Sequence, residues 1–458
     1  MSTTRRDFLK KSITASVGLF IAPTIVPSSV FGKNAPSNCI NIGAIGTGRI
    51  SRSHDMPNIL IHDNVRITSV CDLDANRVRK AKTLVEDYYT KKTGKSYSGV
   101  TMYENYLDLL NNKDIDAVLV STPDHQHAPV VVNAARAGKH IYCQKPASLT
   151  IAEGRQMSDA VNATGVKFQI GSQQRSMTQF RRACELVRNG RIGTIKEIEC
   201  RLPGDPPGGN IEPMPVPTGL NYDAWLGTTP YVYYTLDRVH PRDDFSRPGW
   251  LRCEQFGAGM ITGWGAHHFD IAHWAMGMEY SGPVEISGRA TFATGGLWNV
   301  HTSDFETELL YPNDVIVRGM TQSAEKPNGV LFKGTEGWIF VSRGAYKASA
   351  NDPDVGEPTK ALQASNPEIL KSKIGPDEIH LYESSEHHAN WLDCIRTGKQ
   401  TIAPAEVAHR SCSACLLQHI AMKLQRKLYW DPTLEHFKDD DEANSLLSRQ
   451  QRIPYGIK

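Results

Sequence analysis

Cys39-Ile40-Asn41-Ile42-Gly43-Ala44-Ile45-Gly46-Thr47-Gly48-Arg49-Ile50-Ser51 decides the fold. Cys39 to Ile45 reads as a buried strand. Gly46 and Gly48 lack side chains where the backbone must turn and approach a pyrophosphate, with Thr47, Arg49 and Ile50 completing the loop. Ser51 takes a third, small position, and the helix expected after it offers its N-terminal amides to an anion. Val70-Cys71-Asp72 ends the next strand. A carboxylate there accepts hydrogen bonds from a ribose diol and repels a 2′-phosphate, so Asp72 favours NAD over NADP. A lone glycine pattern would be weak. Strand before, helix after and acid at the second strand end make it specific.

The pattern spreads outward from this loop. Strands are expected at 39–45, 65–71, 117–121 and 140–143, and helices at 75–90, 106–111, 129–137 and 151–163. Such interleaving predicts βαβ units and a parallel sheet. Residues 166–170 and a helix around 179–188 continue the first domain or bridge to a second. After Gly193 the texture changes. A strand is expected at 195–201, a Pro/Gly-rich excursion runs from Pro203 to Pro217, and β-like runs follow at 284–293, 305–311, 314–320 and 337–342. Helices return at 388–396 and 405–428. The expected fold is α/β: a doubly wound parallel Rossmann sheet plus a C-terminal α/β domain with a large, mostly antiparallel open sheet. The expected boundaries are 1–37 leader and linker, 38–165 nucleotide domain, 166–440 second domain and 441–458 tail.

Net charge of +2 over 458 residues gives no reason to expect nucleic acid as a partner. Thr4-Arg5-Arg6-Asp7-Phe8-Leu9-Lys10 and the apolar stretch Ile13 to Val26 read as a twin-arginine export leader. Export of an already folded chain places it in the periplasm with its cofactor loaded beforehand. No Ala-x-Ala site appears. Val30-Phe31-Gly32 is the best cleavage candidate, and an uncleaved anchor is the alternative. Nine cysteines need no disulfide framework in a chain of this size. Cys412 and Cys415 have redox spacing but lie in a helical apolar stretch, so they read as core.

Two further groups carry chemistry. Cys143-Gln144-Lys145-Pro146 follows a strand, and a lysine at the C-terminal edge of a parallel sheet points into the ligand crevice. Its ammonium can hydrogen-bond a substrate hydroxyl and stabilise oxyanion character as hydride leaves the carbon. A surface turn is the plainer alternative. Gly263-Trp264-Gly265-Ala266-His267-His268-Phe269-Asp270 reads as a turn opening into a helix. His267 and Asp270 are three apart and share a helix face, an arrangement suited to acid–base work. His268 and His273 also read as core histidines. The spacing matches no standard zinc pattern, so no metal is expected.

With Ser121-Thr122-Pro123-Asp124-His125-Gln126-His127 and Gly138-Lys139-His140, these motifs resemble the Gfo/Idh/MocA family over residues 38–430. The resemblance implies a nicotinamide-dependent oxidoreductase acting on a small carbohydrate, as a dimer or tetramer. It implies Lys145 and His267 as the catalytic pair. It places Thr122, Pro123, His125, His127, Gln144 and Lys145 around the cofactor, and Asp270 against the substrate or the histidine. Gln173, Arg175 and His268 are further substrate candidates, with a salt-bridged arginine the equal alternative for Arg175. Tyr222, Trp225, Trp250 and Trp298 are candidate stacking faces that read individually as core, and the 203–217 excursion is expected to reach the pocket.

Two positions depart from the family pattern. Its usual Glu-Lys-Pro is Gln144-Lys145-Pro146 here, and the acid often found four residues before the histidine is Gly263. The expected function is oxidation of a sugar, glycoside or polyol hydroxyl by tightly held, internally recycled NAD. The alternatives are a redox-neutral glycosidase or lyase working through a keto-sugar, and a non-catalytic sugar-binding protein.

Overall fold

The computed structural model describes residues 39–241, 244–344 and 360–457, so the leader motif and its cleavage candidate lie outside the described residues. Six strands form the first sheet: β1 (Ile40–Ile45), β2 (Val65–Cys71), β3 (Thr101–Tyr103), β4 (Ala117–Val120), β5 (His140–Cys143) and β6 (Phe168–Ile170). Their order is β3-β2-β1-β4-β5-β6, with every pair parallel. β4 is buried at all four positions, as a strand covered on both faces requires. The order reverses between β1 and β4, and ligands bind at that switch point. β6 pairs with β5, so this sheet runs past the boundary expected at residue 165.

The chain after the glycine loop departs from a simple helix. Ser51–Asp55 forms a π-helical turn before the α-helix Met56–Leu60. This local widening turns Asp55 inward, where it is fully buried.

The second sheet has nine strands: β7 (Ile195–Leu202), β8 (Glu285–Arg289), β9 (Glu306–Leu310), β10 (Ile316–Thr321), β11 (Gly329–Gly334), β12 (Trp338–Val341), β13 (Leu362–Ala364), β14 (Leu428–Asp431) and β15 (His436–Phe437). All neighbours are antiparallel except β7 and β10. Helices Thr178–Arg188, Gly265–Met276 and Ala405–Leu424 pack on one face. The other carries an ion-pair ladder in which Arg318 joins Glu197 (3.0 Å) and Glu308 (2.5 Å), and Lys333 joins Glu197 and Glu199.

Several elements lie outside the sequence reading. β3, β11 and β13 were not expected. The long C-terminal helix ends at Leu424, with Gln425 in the left-handed region (φ 49°), and β14 begins at Leu428. The tail is part of the structure. Arg449 Nε donates to Glu153 Oε1 (2.9 Å), Arg452 N to Thr228 O (2.9 Å) and Tyr455 Oη to Asp223 Oδ2 (2.7 Å). Cys412 and Cys415 are buried free thiols, and burial pushes both upward, Cys412 to about 11. Among the described residues no helix is long and apolar enough to cross a membrane.

Candidate active site

A cavity of about 760 Å³ lies over the C-terminal ends of β1, β4 and β5 and is closed by parts of the second domain. Gly46 needs to be glycine. Its φ is +79°, and an added Cβ would stand 2.7 Å from Thr122 N. A Cβ at Gly48 would meet only Arg77 Nη1, at 3.9 Å, so this stretch of backbone faces open cavity. Arg49, Ile50 and Asp72 line the same end. Asp72 Oδ2 accepts from Thr47 N (2.7 Å) and Thr47 Oγ1 (3.1 Å), and Oδ1 from Asp74 N (3.0 Å). Thr47 therefore sits behind the loop as a support for Asp72 rather than in the cavity wall. An open glycine backbone with a carboxylate one strand away fits a dinucleotide.

The other end gathers Thr122, Pro123, Asp124, His127, Gln144, Lys145, Gln173 and His267. Lys145 Nζ donates to Gly263 O at 2.6 Å. Burial lowers His127 to about 4, and its ring nitrogens lie 2.6 Å from Pro146 O and 2.9 Å from Thr122 O, two acceptors of which a neutral imidazole donates to one. His267 is buried, and its Nδ1 meets no hydrogen-bond partner among the described residues. Burial, then Arg343 and Lys145, hold His267 well below the ordinary imidazole range.

Gln144 does not face empty space where the family's acid would stand. Its Nε2 donates to Asp55 Oδ1 (2.8 Å) and Oδ2 (3.0 Å), and Ser121 Oγ donates to Asp55 Oδ2 (2.9 Å). His388 Nε2 and His54 Nδ1 complete the set at 3.3 and 3.1 Å. Burial opposes ionisation of Asp55, yet His388 and His54 hold its carboxyl well below the usual range. Burial likewise opposes the charge on His388, which Asp55 and Glu386 hold up to about 9. His54, Asp55 and His388 are close enough to share one ion, but these donors already satisfy the Asp55 carboxylate.

Besides Thr47, four expected site residues lie outside the cavity wall. Arg175 and Asp270 form a buried bidentate pair, Nε to Oδ2 at 2.7 Å and Nη2 to Oδ1 at 2.8 Å, with the guanidinium 5.0 Å from the Trp274 ring centre. The helix carrying Asp270 is buried all round, so sharing a face with His267 does not bring the two side chains together. Arg175 takes the carboxylate instead. His268 is buried against Asn328 (Nε2 to Oδ1, 3.2 Å), and His125 against Trp225 O (2.8 Å). Neither lines the cavity.

The excursion 203–217 does not line it either. The following stretch does, through Asn221, Trp225, His240 and Trp250. Tyr222 stacks on Trp225, and Trp298 packs under Arg252. Sequence reasoning missed Asp124, Trp264, Arg343 and the tail residues Pro454, Tyr455 and Gly456, all of which line the cavity. Asp124 stood inside a quoted motif. The tail gave only a polar composition.

A glycine loop at a Rossmann switch point, with a lysine and histidine across the cleft, defines a dinucleotide-dependent oxidoreductase architecture. The chain belongs to the Gfo/Idh/MocA oxidoreductase family. The model for its NAD-binding Rossmann domain matches residues 40–172, and that for its C-terminal alpha/beta domain matches 208–341 and 356–457. Myo-inositol 2-dehydrogenase of Thermotoga maritima is 30% identical over 170 residues, 37% of this chain and 47% of that protein. A glycosyl hydrolase family 109 protein of Shewanella pealeana is 30% identical over 177 residues, 36% of this chain and 38% of that protein. The chain matches about half the length of the most similar curated relatives or less. The aldose-aldose oxidoreductase of Caulobacter crescentus shares the fold, with a TM-score of 0.55 at 19% identity over 85% of this chain and 99% of that one.

Proposed function

We propose that the protein oxidises a hydroxyl of a sugar, glycoside or polyol, with NAD held in the cleft and recycled there. The observation that carries this reading is one cavity lined by Gly48 and Asp72 at one end and by Lys145 and His267 at the other. Asp72 and the Gly46–Ile50 loop would hold the nucleotide, and Asp72 favours NAD over NADP. NAD supplies the hydride acceptor. Lys145 then binds the substrate oxygen and stabilises its developing negative charge, one of its N–H bonds being already committed to Gly263 O. His267, kept neutral, hydrogen-bonds a neighbouring hydroxyl and orients the ring.

Retention is supported by contacts that bind the second domain across the nucleotide end. Asn221 N donates to Leu73 O (2.9 Å), His240 Nε2 meets Asp74 Oδ2 (2.9 Å), and Asp244 pairs with Arg52 (2.8 Å) and Lys80 (2.9 Å). Tight retention suits the export that residues 4–26 suggest, since a folded chain carries its cofactor with it. The open, ion-paired sheet face is the surface on which we expect a second copy to pair. A redox-neutral glycosidase is the second reading, favoured by the match to the family 109 protein. Its oxidation step uses the same residues.

The test starts from protein purified without added nucleotide. Released nucleotide is identified by mass, and reduced-nicotinamide absorbance is followed as sugars and glycosides are added. Bound NAD that becomes reduced supports the oxidoreductase. Bond cleavage without net reduction supports the second reading. No bound nucleotide, and none taken up, rejects both.

A further inference from the structure

Asp55 stands in the π-helical turn that follows the glycine loop, fully buried behind the cavity wall. Ser121 at the end of β4 and Gln144 after β5 line that wall, and both donate to its carboxylate. Gln144 Nε2 lies 2.8 Å from Asp55 Oδ1 and 3.0 Å from Oδ2. On the far side His388 Nε2 meets Oδ1 at 3.3 Å, and His388 Nδ1 is tied to Glu386 Oε1 at 3.2 Å. The His388 ring stacks on Tyr142 of β5, with the ring centres 4.5 Å apart. The carboxylate is thus fixed from the ends of β4 and β5 and from the helix His387–Thr397.

The carboxamide of a glutamine has a donor end and an acceptor end, and its partners decide which end faces where. Burial opposes ionisation of Asp55, yet His388 and His54 hold its carboxyl well below the usual range. An ionised carboxylate only accepts hydrogen bonds, so it faces the nitrogen of the Gln144 amide and not the oxygen. Oε1 is then the end that Gln144 offers elsewhere. A Cβ added at Gly171 would stand 3.0 Å from that oxygen, so the glycine leaves it uncovered. Gln144 directly precedes Lys145, at the opposite end of the cavity from Asp72.

We propose that Asp55 is a positioning residue for the cofactor: it turns the Gln144 carboxamide so that Oε1 accepts a hydrogen bond from the carboxamide N–H of the nicotinamide. The proposal rests on the NAD reading of this cavity. Where the family resemblance implies an acid beside the lysine, this chain keeps the acid one layer back and presents an amide oxygen. An asparagine at position 55 has a donor and an acceptor of its own, so either end of the Gln144 amide could face it and the oxygen is no longer selected. His388 acts on the amide only through Asp55.

The 3-acetylpyridine analogue of NAD keeps the carbonyl on the ring and lacks the amide N–H. The holoenzyme is equilibrated with NAD and this analogue together, the bound ratio is read by mass, and a melting curve is recorded for each variant. The wild type should prefer NAD by about fivefold, the worth of one hydrogen bond. Asp55→Asn should lose the preference. Asp55→Asn combined with Gln144→Glu exchanges acid and amide across the pair and should regain it. His388→Gln should lower the melting temperature yet keep the preference, because Asp55 still faces Gln144. An unchanged preference in Asp55→Asn, even with a lowered melting temperature, leaves Asp55 a structural residue and overturns the proposal. A wild type without preference, or an exchanged pair that does not regain it, overturns it as well. A wild type that binds neither nucleotide rejects the NAD reading itself, and the proposal with it.

Discussion

Lys145 Nζ and the main-chain oxygen of Gly263 are 2.6 Å apart, a hydrogen bond between the end of β5 and the turn that opens the His267 helix. The bond uses a carbonyl at the position where the family resemblance implies an acid. The backbone thereby positions the ammonium. Lys145→Met keeps the stem and removes the charge. Turnover is expected to fall by about 100-fold or more, with bound NAD still stoichiometric. Steady-state kinetics and nucleotide release check both parts. Loss of nucleotide together with activity would show that Lys145 acts mainly on the cofactor.

Arg175 and Asp270 belong to stability. Both are buried, and breaking such a pair from one side strands the other charge at about 3–5 kcal/mol. Asp270→Asn should therefore lower the melting temperature sharply, while Arg175→Met with Asp270→Leu recovers much of the loss. Chemical denaturation of the single and double variants checks this. A fully stable Asp270→Asn with raised KM would return Asp270 to the substrate.

Most of the Rossmann half was legible because its signals are local. β2, β5 and the helix Tyr106–Asn111 fall where strand pattern and turn residues place them. The Gly46–Ile50 loop and Lys145 were legible for the same reason, since each follows a strand end. What escaped depends on distant partners. Nothing near Asp270 in sequence announces Arg175, 95 positions away, or tells that it outcompetes His267. Asp55 and Gln144 are likewise 89 positions apart and joined only by the fold. β11 opens with a glycine at φ +150° and ends with another, a composition that hides a strand.

His388 predicts the alkaline limb of stability. Its folded pKa of about 9 lies above the ordinary 6.5. A raised pKa gives stability that is complete below about 6.5 and lost as pH rises through 9. The difference corresponds to about 3 kcal/mol for this buried group. Asp55 works in the opposite direction. Its carboxyl is held low, so its contribution is present above 3.8 and lost as pH falls below that. Unfolding free energy should decline between pH 6.5 and 9, and His388→Gln should flatten that decline. Urea titrations across this range provide the check. A wild-type curve level over the same window would show that the His388–Asp55 pair does not carry a proton.

Asp72 should govern the choice of nucleotide. Its carboxylate is fixed by two bonds from Thr47 and one from Asp74 N. Asp72→Ser removes the charge that repels a 2′-phosphate, while Arg49 and Arg77 remain in the same wall. NADP binding should strengthen at least tenfold relative to NAD, about 1.4 kcal/mol. Competition binding to nucleotide-stripped protein measures the ratio directly, and no change would place the discrimination elsewhere.

The C-terminal segment is expected to retain the cofactor. Arg449 Nη2 reaches Thr228 Oγ1 (2.6 Å), Arg452 joins Asp223, and Tyr455 Oη joins the same Asp223 at 2.7 Å. These bonds hold Pro454, Tyr455 and Gly456 against the cavity. The segment buries few large apolar side chains, and Ile453 is 89% exposed. Its attachment is therefore largely polar, and the core should fold without it. Ending the chain after Ser448 should leave the melting temperature of the nucleotide-free protein within a few degrees. NAD dissociation should accelerate at least tenfold, a loss of about 1.4 kcal/mol in the barrier to release. Stopped-flow displacement of bound nucleotide measures the rate, and Tyr455→Phe, which removes one hydroxyl bond, should fall between the two. An unchanged rate in the shortened chain would assign retention to the contacts of Asn221, His240 and Asp244 alone.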